Sequence, residues 1–276
     1  MIARSMETTL NITAVAHGGH GVSRIDNQVC FVPFGLPGDT LRVHVVRRAK
    51  RVLWAEIDEV LEPSPHRKAP QCPNFGVCGA CTWDHFAYPA QAEWKQRIVR
   101  ETFERLAGIE VEVGWREDST LRHGYRTRAE FHGDGERFGF FARGTHDIVD
   151  TEYSPLCHAR VNDALAILRE LSIKGTVTVT VNPEGEQTLV WTKFRLRRLK
   201  DRFPQAGTPR DSGRPASFVF DGVPVVNGAF TQSSLLLNRM LVQETHDMIG
   251  DAVSLLDLYC GSGNFSLGLA ERMSVV

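Results

Sequence analysis

Residues 72–81 read Cys72-Pro-Asn-Phe-Gly-Val-Cys-Gly-Ala-Cys81 and hold three of the six cysteines of the chain. Turns at Gly76 and Gly79 would bring these thiolates to one centre, and Cys157 is a candidate fourth ligand. Four thiolates suit tetrahedral zinc or an iron–sulfur cluster. Buried thiols or a disulfide are the alternative, although C-x2-C is a known metal spacing. The stretch therefore predicts a metal-binding loop, and its spacing alone slightly favours zinc.

The whole chain has 276 residues and a formal net charge of −1. This length suggests about two or three domains, and the small net charge leaves any contact with RNA or DNA to local basic patches. No run approaches the roughly 18 apolar residues of a membrane span, and the N-terminal residues lack the apolar core of a signal peptide. Sparse, clustered cysteines fit a reducing compartment. We therefore expect a cytoplasmic protein with no membrane partner.

Before the cysteine stretch, residues 7–62 alternate like short strands separated by glycine turns, a pattern typical of a small closed or half-closed barrel. Cys30 falls within a strand and is assigned to the core. A basic tip lies between the last two strands and could grip phosphates, although a solvated hairpin end is an equally good interpretation; its cations are Arg47, Arg48, Lys50 and Arg51. Residues 63–70 read as a linker.

After the cysteine stretch, Ala90 to Leu106 has a helical pattern, and strands return from residue 124. Alternation from Tyr125 to Phe131 places Arg126 and Arg128 on one face of a strand, with 137–143 as the partner strand. This face could bind an RNA backbone or be ion-paired surface. A helix over 162–171 and a hairpin of 176–182 with 188–191 follow. Residues 193–202 then hold six basic residues and one acid, the strongest positive patch of the chain.

The last part of the chain combines a helix over 235–249, an apolar strand over 253–259 and a second helix over 267–273. The glycine turn Cys260-Gly-Ser-Gly-Asn-Phe265 joins the strand to the second helix, which is the plan of a nucleotide cradle. The turn lacks the G-K-[ST] of a phosphate loop, and Ser266 stands where the dinucleotide fingerprint has its third glycine. These features favour S-adenosylmethionine as the ligand.

The motifs together resemble a known family. Gly18-Gly-His-Gly-Val22 and the turn ending at Asp39 resemble the TRAM domain, an RNA-binding module of oligonucleotide-fold type. The whole chain resembles the bacterial RNA 5-methyluridine methyltransferases, in the branch that modifies ribosomal RNA. The matching motifs, in chain order, are Cys78-Gly-Ala-Cys-Thr-Trp-Asp-His-Phe-Ala-Tyr88 with Gln91-x3-Lys95, Gly124-Tyr-Arg-Thr-Arg-Ala129, Phe138-Gly-Phe-Phe141, Asp147-Ile-Val-Asp150, Pro155-Leu-Cys157, Phe230-Thr-Gln232 and Leu256-Asp-Leu-Tyr-Cys-Gly-Ser-Gly-Asn-Phe265.

This resemblance implies a multidomain α/β and β protein. We expect a TRAM-like RNA-binding barrel over 1–62 and an iron–sulfur loop with a central α+β domain over 63–205. Residues 206–276 are expected to form the incomplete start of a Rossmann-like methyltransferase domain that binds S-adenosylmethionine. The helix over 90–107 is expected to dock on this last domain.

The resemblance also implies two cofactors. A structural [4Fe–4S] cluster would replace the zinc that spacing favours, on Cys72, Cys78, Cys81 and Cys157. Contacts to S-adenosylmethionine (SAM) would come from Gln232, Tyr259 and Asn264, with Gly261 and Gly263 shaping the turn. Phe75, Trp83 and Phe86 are expected to shield the cluster, and His85 and Arg126 to extend an RNA-binding surface.

Two departures from the family pattern qualify these expectations. Ser233 and Ser234 replace the usual Val-Asn, which we expect to weaken local packing. The chain ends at Val276, and the resemblance places the ribose-binding acid, the base and the nucleophilic cysteine beyond that point. We therefore expect a truncated methyltransferase that is a monomer at full length, has no assigned catalytic residue here and binds SAM poorly.

The expected function is SAM-dependent methylation of carbon 5 of uridine in RNA, in 23S rRNA rather than tRNA. An RNA-binding iron–sulfur protein without catalysis is the alternative from another class. Radical SAM chemistry is a third, because TRAM-like barrels accompany such enzymes, but they typically need C-x3-C-x2-C.

Overall fold

The computed structural model describes residues 7–194 and 197–276. The chain divides into two compact units, Met1–Trp115 and Arg116–Val276. The domain limits at residues 62 and 205 and the docking of the helix over 90–107 stay predictions.

The first unit is built on one sheet of six strands in the order β1-β5-β6-β4-β3-β2. Only Ile12 and Thr13 separate β1 from β2, so the two ends of the strand order are neighbours in the chain and the sheet must curl. The six strands are β1 Glu7–Asn11, β2 Ala14–Val15, β3 His20–Ile25, β4 Gln28–Pro33, β5 Thr40–Ala49 and β6 Val52–Glu62.

A single apolar core lies inside this curled sheet. Leu41 and Val43 from β5 pack there with Val32 from β4 and Leu53 from β6, and all are almost completely buried. Cys30 belongs to the same core, as the sequence predicted, and burial raises the pKa of its thiol. The alternating strands therefore direct one side chain in two inward.

The segment predicted as a linker, residues 63–70, is anchored to the sheet. The buried carboxylate of Asp39 accepts hydrogen bonds from the backbone N–H groups of Leu36 at 2.7 Å and Ser64 at 2.8 Å. It also forms an ion pair with Arg67, whose guanidinium reaches the carbonyl of Phe34 at 2.8 Å. The linker prediction is thus wrong for Ser64 and Arg67, because their polar groups satisfy a buried charge.

Helix α1 spans Tyr88–Ala107 and confirms the helix predicted from residue 90 to 106. Pro89 lies in its first turn, and Gly108 ends it in a left-handed conformation at φ 64°, the usual helix stop. Ala90 and Trp94, one turn apart, pack with Phe86 and Leu36. The start of the helix is therefore fixed by apolar packing.

The second unit contains an antiparallel sheet in the order β11-β10-β7-β8-β9. Its strands are β7 Arg128–Asp134, β8 Phe138–Phe141, β9 Ile148–Asp150, β10 Lys174–Val181 and β11 Thr188–Thr192. The predicted pairings of β7 with β8 and of β10 with β11 are confirmed. The predicted helix over 162–171 is α2, Ala159–Arg169.

The remaining elements are α3 Arg197–Arg202, the hairpin β12 Ser217–Phe220 and β13 Val223–Val226, α4 Leu235–Ile249, and the parallel pair β14 Ser254–Leu255 and β15 Ser274–Val275. The predicted bounds of α4 are confirmed. The strand predicted over 253–259 contains only two ladder residues, because its parallel partner is equally short. The helix predicted over 267–273 is a short 3₁₀ turn, Leu267–Leu269.

No helix in the described residues is long and apolar enough to cross a membrane.

Candidate cofactor site and cysteine loop

The glycine turn after β14 has an unusual backbone. Tyr259, Gly261 and Gly263 all have positive φ, at 63°, 59° and 77°. A Cβ on Gly263 would lie 3.1 Å from the Cβ of Leu267, so a side chain would crowd the turn. Positive φ is uncommon for a tyrosine, and such outliers cluster at functional sites. The turn thus holds the fully exposed side chain of Tyr259 towards solvent.

Helix α4 fixes the far end of this turn. The side-chain amides of Asn238 and Asn264 exchange two hydrogen bonds, at 2.8 and 3.0 Å. One ring nitrogen of His246 lies 2.8 Å from the carbonyl oxygen of Phe265. Since an amide group has two donors and two acceptor sites, Asn264 keeps one of each for a ligand. The structure therefore places Asn264 beside the first turn of α4.

Gln232 lies just before that first turn, in a segment held by the central sheet. The carbonyl of Ser233 accepts hydrogen bonds from the backbone N–H groups of Thr127, at 2.9 Å, and Arg128, at 3.1 Å. Ser234 is the N-cap of α4, and its hydroxyl accepts from Leu237 N–H at 3.1 Å. The carbonyl of Ser233 and the hydroxyl of Ser234 thus both bind backbone N–H groups, and the expected weakening of local packing stays a prediction.

Arg128 reaches from β7 towards the same segment. Its guanidinium donates to the carbonyl of Thr231 at 3.4 Å and lies 6.0 Å from the ring centre of Phe230. Its Nε is buried and has no hydrogen-bond partner among the residues that the structure describes. Burial lowers its pKa, and the nearby Glu130 opposes this shift. Arg126 lies before β7, where its backbone bridges to Cys157. The two arginines therefore do not lie on one face of a single strand, contrary to the sequence prediction, because β7 begins only at Arg128.

Asp257 is a site residue that the sequence interpretation missed. It follows β14, and its backbone N–H donates to the carbonyl of Val276 at 2.8 Å. Its carboxylate oxygen Oδ2 is buried and has no hydrogen-bond partner among the described residues. A buried acceptor without a partner is costly. An acid inside the apolar run Leu255-Leu-Asp-Leu258 was the available signal.

These features fit the polar and aromatic chemistry that a ligand such as SAM requires. An unsatisfied acceptor on Asp257, a spare donor and acceptor on Asn264, and the exposed ring of Tyr259 all belong to one turn of the chain. Glycines at 261 and 263 let its backbone adopt left-handed conformations that other residues disfavour.

The cysteine loop is pinned at its two ends. The carboxylate of Asp84 accepts from the backbone N–H groups of Gln71 at 2.6 Å and Cys72 at 2.8 Å. The amide side chain of Gln91 on α1 donates to the carbonyls of Trp83 at 3.0 Å and Phe86 at 2.8 Å. The first half of the Gln91-x3-Lys95 motif therefore holds the loop against α1.

Within the loop, Gly76 has φ 90° and supports the predicted turn. Cys78 is buried, and its sulfur accepts a hydrogen bond from Ala80 N–H at 3.4 Å. Cys157, also buried, belongs to the second unit. Within residues 7–194 and 197–276, no three His, Cys, Asp or Glu side chains are grouped as a metal site requires. The donor chemistry of the cysteine loop suits a thiolate-bound metal.

Two aromatic residues after the cysteine loop are buried. Phe86 packs in the core with Trp94, and its expected shielding of a cluster stays a prediction. His85 is only 2% exposed and lies 2.9 Å from the carbonyl of Phe34, so it cannot extend an RNA-binding surface. Phe75 packs on His85 with ring centres 4.9 Å apart. These rings form the apolar wall of the cysteine loop.

The predicted basic tip lies at the turn between β5 and β6. Arg47 and Arg48 end β5, Lys50 and Arg51 form the turn, and all four are exposed.

Two family models match this chain, one in each of its two compact units. A family model described as the TRAM domain of tRNA (uracil(54)-C(5))-methyltransferase matches residues 6–66, and one described as tRNA (Uracil-5-)-methyltransferase matches residues 222–276. The 23S rRNA (uracil(1939)-C(5))-methyltransferase RlmD of Alkalilimnicola ehrlichii is 30% identical, across 96% of this chain and 68% of that protein. That of Azoarcus sp. is 28% identical, across 97% and 71%.

Among solved structures, the tRNA (uracil-54, C5)-methyltransferase of Pyrococcus abyssi in complex with S-adenosyl-L-homocysteine superposes with a TM-score of 0.69 at 22% identity. The match covers 95% of this chain and 70% of that one. The chain therefore belongs to the RNA uracil-C5-methyltransferases, a family of enzymes, and its N-terminal residues 6–66 match a TRAM domain.

Proposed function

We propose that this protein serves SAM-dependent methylation of carbon 5 of uridine in 23S rRNA. The observation that carries the proposal is the backbone of the glycine turn. Tyr259, Gly261 and Gly263 have left-handed backbone conformations there, and Asn264 is hydrogen-bonded to the first turn of α4. SAM supplies an electrophilic methyl group to a reaction of this class. In this proposal the residues around the glycine turn bind and orient that cofactor.

The contact residues follow from this arrangement. Tyr259 offers an exposed ring for stacking, Asn264 offers one donor and one acceptor, and Gln232 offers its amide from the segment before α4. Asp257 offers a buried acceptor that a ligand hydroxyl or amine would satisfy. Gly261 and Gly263 keep the backbone open to close approach.

Calorimetry with SAM tests these contacts. Asn264→Ala and Gln232→Ala should each weaken binding by about tenfold, equivalent to roughly 1.4 kcal/mol for one lost polar contact. Gln243→Ala, which removes an exposed amide from α4, is the matched control and should leave the affinity unchanged. Unchanged affinity in both site variants would remove the assignment.

The choice of 23S rRNA is supported by the names of the relatives in Alkalilimnicola ehrlichii and Azoarcus sp.. The named substrate of the Pyrococcus abyssi enzyme is a tRNA. Incubation with methyl-labelled SAM and either unmodified 23S rRNA or unmodified tRNA discriminates between the two. Label in 23S rRNA alone would support the proposal and would argue against the non-catalytic alternative. Label in tRNA alone would reverse the choice, and RNA binding without label in either would favour the non-catalytic alternative.

We also propose that Cys72, Cys78, Cys81 and Cys157 hold a structural [4Fe–4S] cluster. The N–H···S hydrogen bond to Cys78 supports thiolate ligation, since such hydrogen bonds stabilise charged sulfur, and Asp84 fixes the backbone of Cys72. Anaerobic purification should give a brown protein with about four iron and four sulfide per chain. Cys157→Ser should lose the colour, whereas Cys30→Ser should keep it. One zinc in a colourless protein would contradict the cluster.

For RNA binding we propose the exposed tip with Arg47, Arg48, Lys50 and Arg51, because it presents four cations in one turn. Arg126 and Arg128 are assigned a weaker role, since the guanidinium of Arg128 is half-buried against Thr231. Ala substitution of Lys50 and Arg51 should weaken RNA binding more at low salt than at high salt. A salt-independent loss would argue against phosphate contacts. We further propose that the protein acts as a monomer in the cytoplasm.

A further inference from the structure

The strongest basic stretch of the sequence, residues 193–202, has no part in the cofactor site. Helix α3, Arg197–Arg202, forms its second half. Leu199 is 2% exposed and Phe203 is 7% exposed, and the N–H of Phe203 donates to the carbonyl of Leu199 at 2.8 Å. These two apolar side chains anchor the helix. Its cations consequently face solvent.

The cations of this helix differ in their partners. Lys200 lies 3.5 Å from Asp211, and Arg202 lies 2.9 Å from Glu170. Arg197 and Arg198 are exposed, and no carboxylate forms an ion pair with either in the part of the chain that the structure describes. Two neighbouring guanidinium groups are therefore available to an anionic ligand.

A cleft of about 330 Å³ opens beside Arg197, and Arg198 is the next residue of the helix but does not line the cleft. Arg197, Lys200, Asp211 and the half-buried ring of Phe194 line it, together with Gly207 and Thr208. The position of Gly207 is fixed, because its N–H donates to the carbonyl of Val190 at 2.9 Å and its carbonyl accepts from Thr192 N–H at 3.1 Å. The cleft therefore combines a fixed backbone at Gly207, the aromatic ring of Phe194 and the positive charge of Arg197 and Lys200.

We propose that this cleft binds single-stranded RNA, with phosphates on Arg197 and Arg198 and one base stacked on Phe194. The inference rests on the proposed function in taking RNA as the partner, and it adds a contact outside the cofactor site. Proteins that bind single-stranded nucleic acid without sequence preference place cationic side chains along its phosphate backbone and aromatic rings against its bases. An acidic protein segment would use the cations but not the ring. Asp211 disfavours a phosphate next to Lys200, which places the phosphates at the two arginines.

Fluorescence anisotropy with labelled oligouridine tests the proposal in the full chain. Arg197→Ala with Arg198→Ala should weaken binding about tenfold at low salt. Two lost phosphate contacts should also reduce the slope of log affinity against log salt by about 1.4, at about 0.7 per phosphate on a single strand. Phe194→Leu keeps an apolar side chain, so it should weaken binding at least fivefold and leave the salt slope unchanged, because stacking releases no counterions.

The charge-matched control is Arg100→Ala with Arg214→Ala, two exposed arginines that do not line the cleft. It should change the affinity less than about twofold. If the alanine pair at 197 and 198 does not fold, Arg197→Gln with Arg198→Gln removes the same charges and keeps long side chains.

The outcomes separate this inference from the proposed function. RNA binding by the unaltered chain, with equal affinity and slope in the variant at 197 and 198, would overturn the cleft alone. Polyglutamate that displaces oligouridine equally well, together with no effect of Phe194→Leu, would overturn RNA as the ligand of the cleft. If the unaltered chain does not bind RNA at all, both proposals are wrong. SAM affinity, measured in parallel, tests the cofactor site by itself.

Discussion

The six-stranded sheet of residues 7–62 and the final segment, residues 250–276, have similarly apolar strands but opposite burial. Leu41 in β5 is completely buried, whereas Leu258, at the end of the strand predicted from 253 to 259, is 69% exposed. In the sheet, ladders on both sides of β5 and a curled face enclose the side chain. Leu258 lies beyond the two-residue ladder of β14. Apolarity therefore predicts burial only where the fold supplies a second layer.

The largest expected effect comes from a buried charge in the first region. Asp39→Ala removes the acceptor for two backbone N–H groups and leaves Arg67 without its carboxylate. Breaking such a buried pair should lower the free energy of unfolding by about 3–5 kcal/mol. Urea denaturation measures it. The control Asp58→Ala removes an exposed carboxylate from the same sheet and should cost less than about 1 kcal/mol.

The second prediction compares two leucines directly. Leu41→Ala should lower the free energy of unfolding by about 2–5 kcal/mol, because it opens a cavity in a closed core. Leu258→Ala removes the same atoms from an exposed position and should stay within about 0.5 kcal/mol. Equal losses, measured by urea denaturation, would show that the final segment is buried in solution and would break the comparison.

A third prediction concerns pH. Burial lowers the pKa of His85 from 6.5 to about 4, opposed by its hydrogen bond to the carbonyl of Phe34. Between these values the unfolded chain binds a proton that the folded chain does not, so stability is full above pH 6.5 and falls as pH drops towards 4. The loss should be about 3 kcal/mol, since the pKa differs by about 2.5 units and one unit corresponds to about 1.36 kcal/mol.

His85→Gln should flatten this dependence in urea melts at several pH values, because glutamine can still donate to the Phe34 carbonyl but does not titrate there. His17→Gln, at an exposed position in the same region, should preserve it. A persistent slope in the His85 variant would assign the pH dependence to other groups.

The smallest expected effect is in the final segment. Gly261 has φ 59°, and a Cβ added there would meet nothing within 4 Å, so Gly261→Ala should cost only the strain of a left-handed alanine, about 1 kcal/mol. Gly114→Ala, also in open space but without a positive φ, should be neutral or slightly stabilising. Thermal melts of both variants measure the difference, and equal shifts would show that the turn is not strained.

Sequence patterns alone determined the local features of this protein. The limits of α4, the hairpin of β10 and β11, the glycine turn and the cysteine loop all follow from periodicity and from residues with special backbone freedom, which act over a few positions. The family resemblance followed from the order of these motifs. Each is a property of neighbouring residues, so no tertiary contact was needed to find it.

Tertiary structure alone decided which side chains meet. The pairing of Asn238 with Asn264 spans 26 positions and that of Thr127 with Leu235 spans 108, and spacing along the chain carries no information about such contacts. The burial of His85, the unsatisfied oxygen of Asp257 and the anchoring of Arg67 by Asp39 likewise depend on layers formed by distant segments. Burial and hydrogen-bond satisfaction are properties of the packed chain, and for that reason the sequence indicated the motifs of the site but not its geometry.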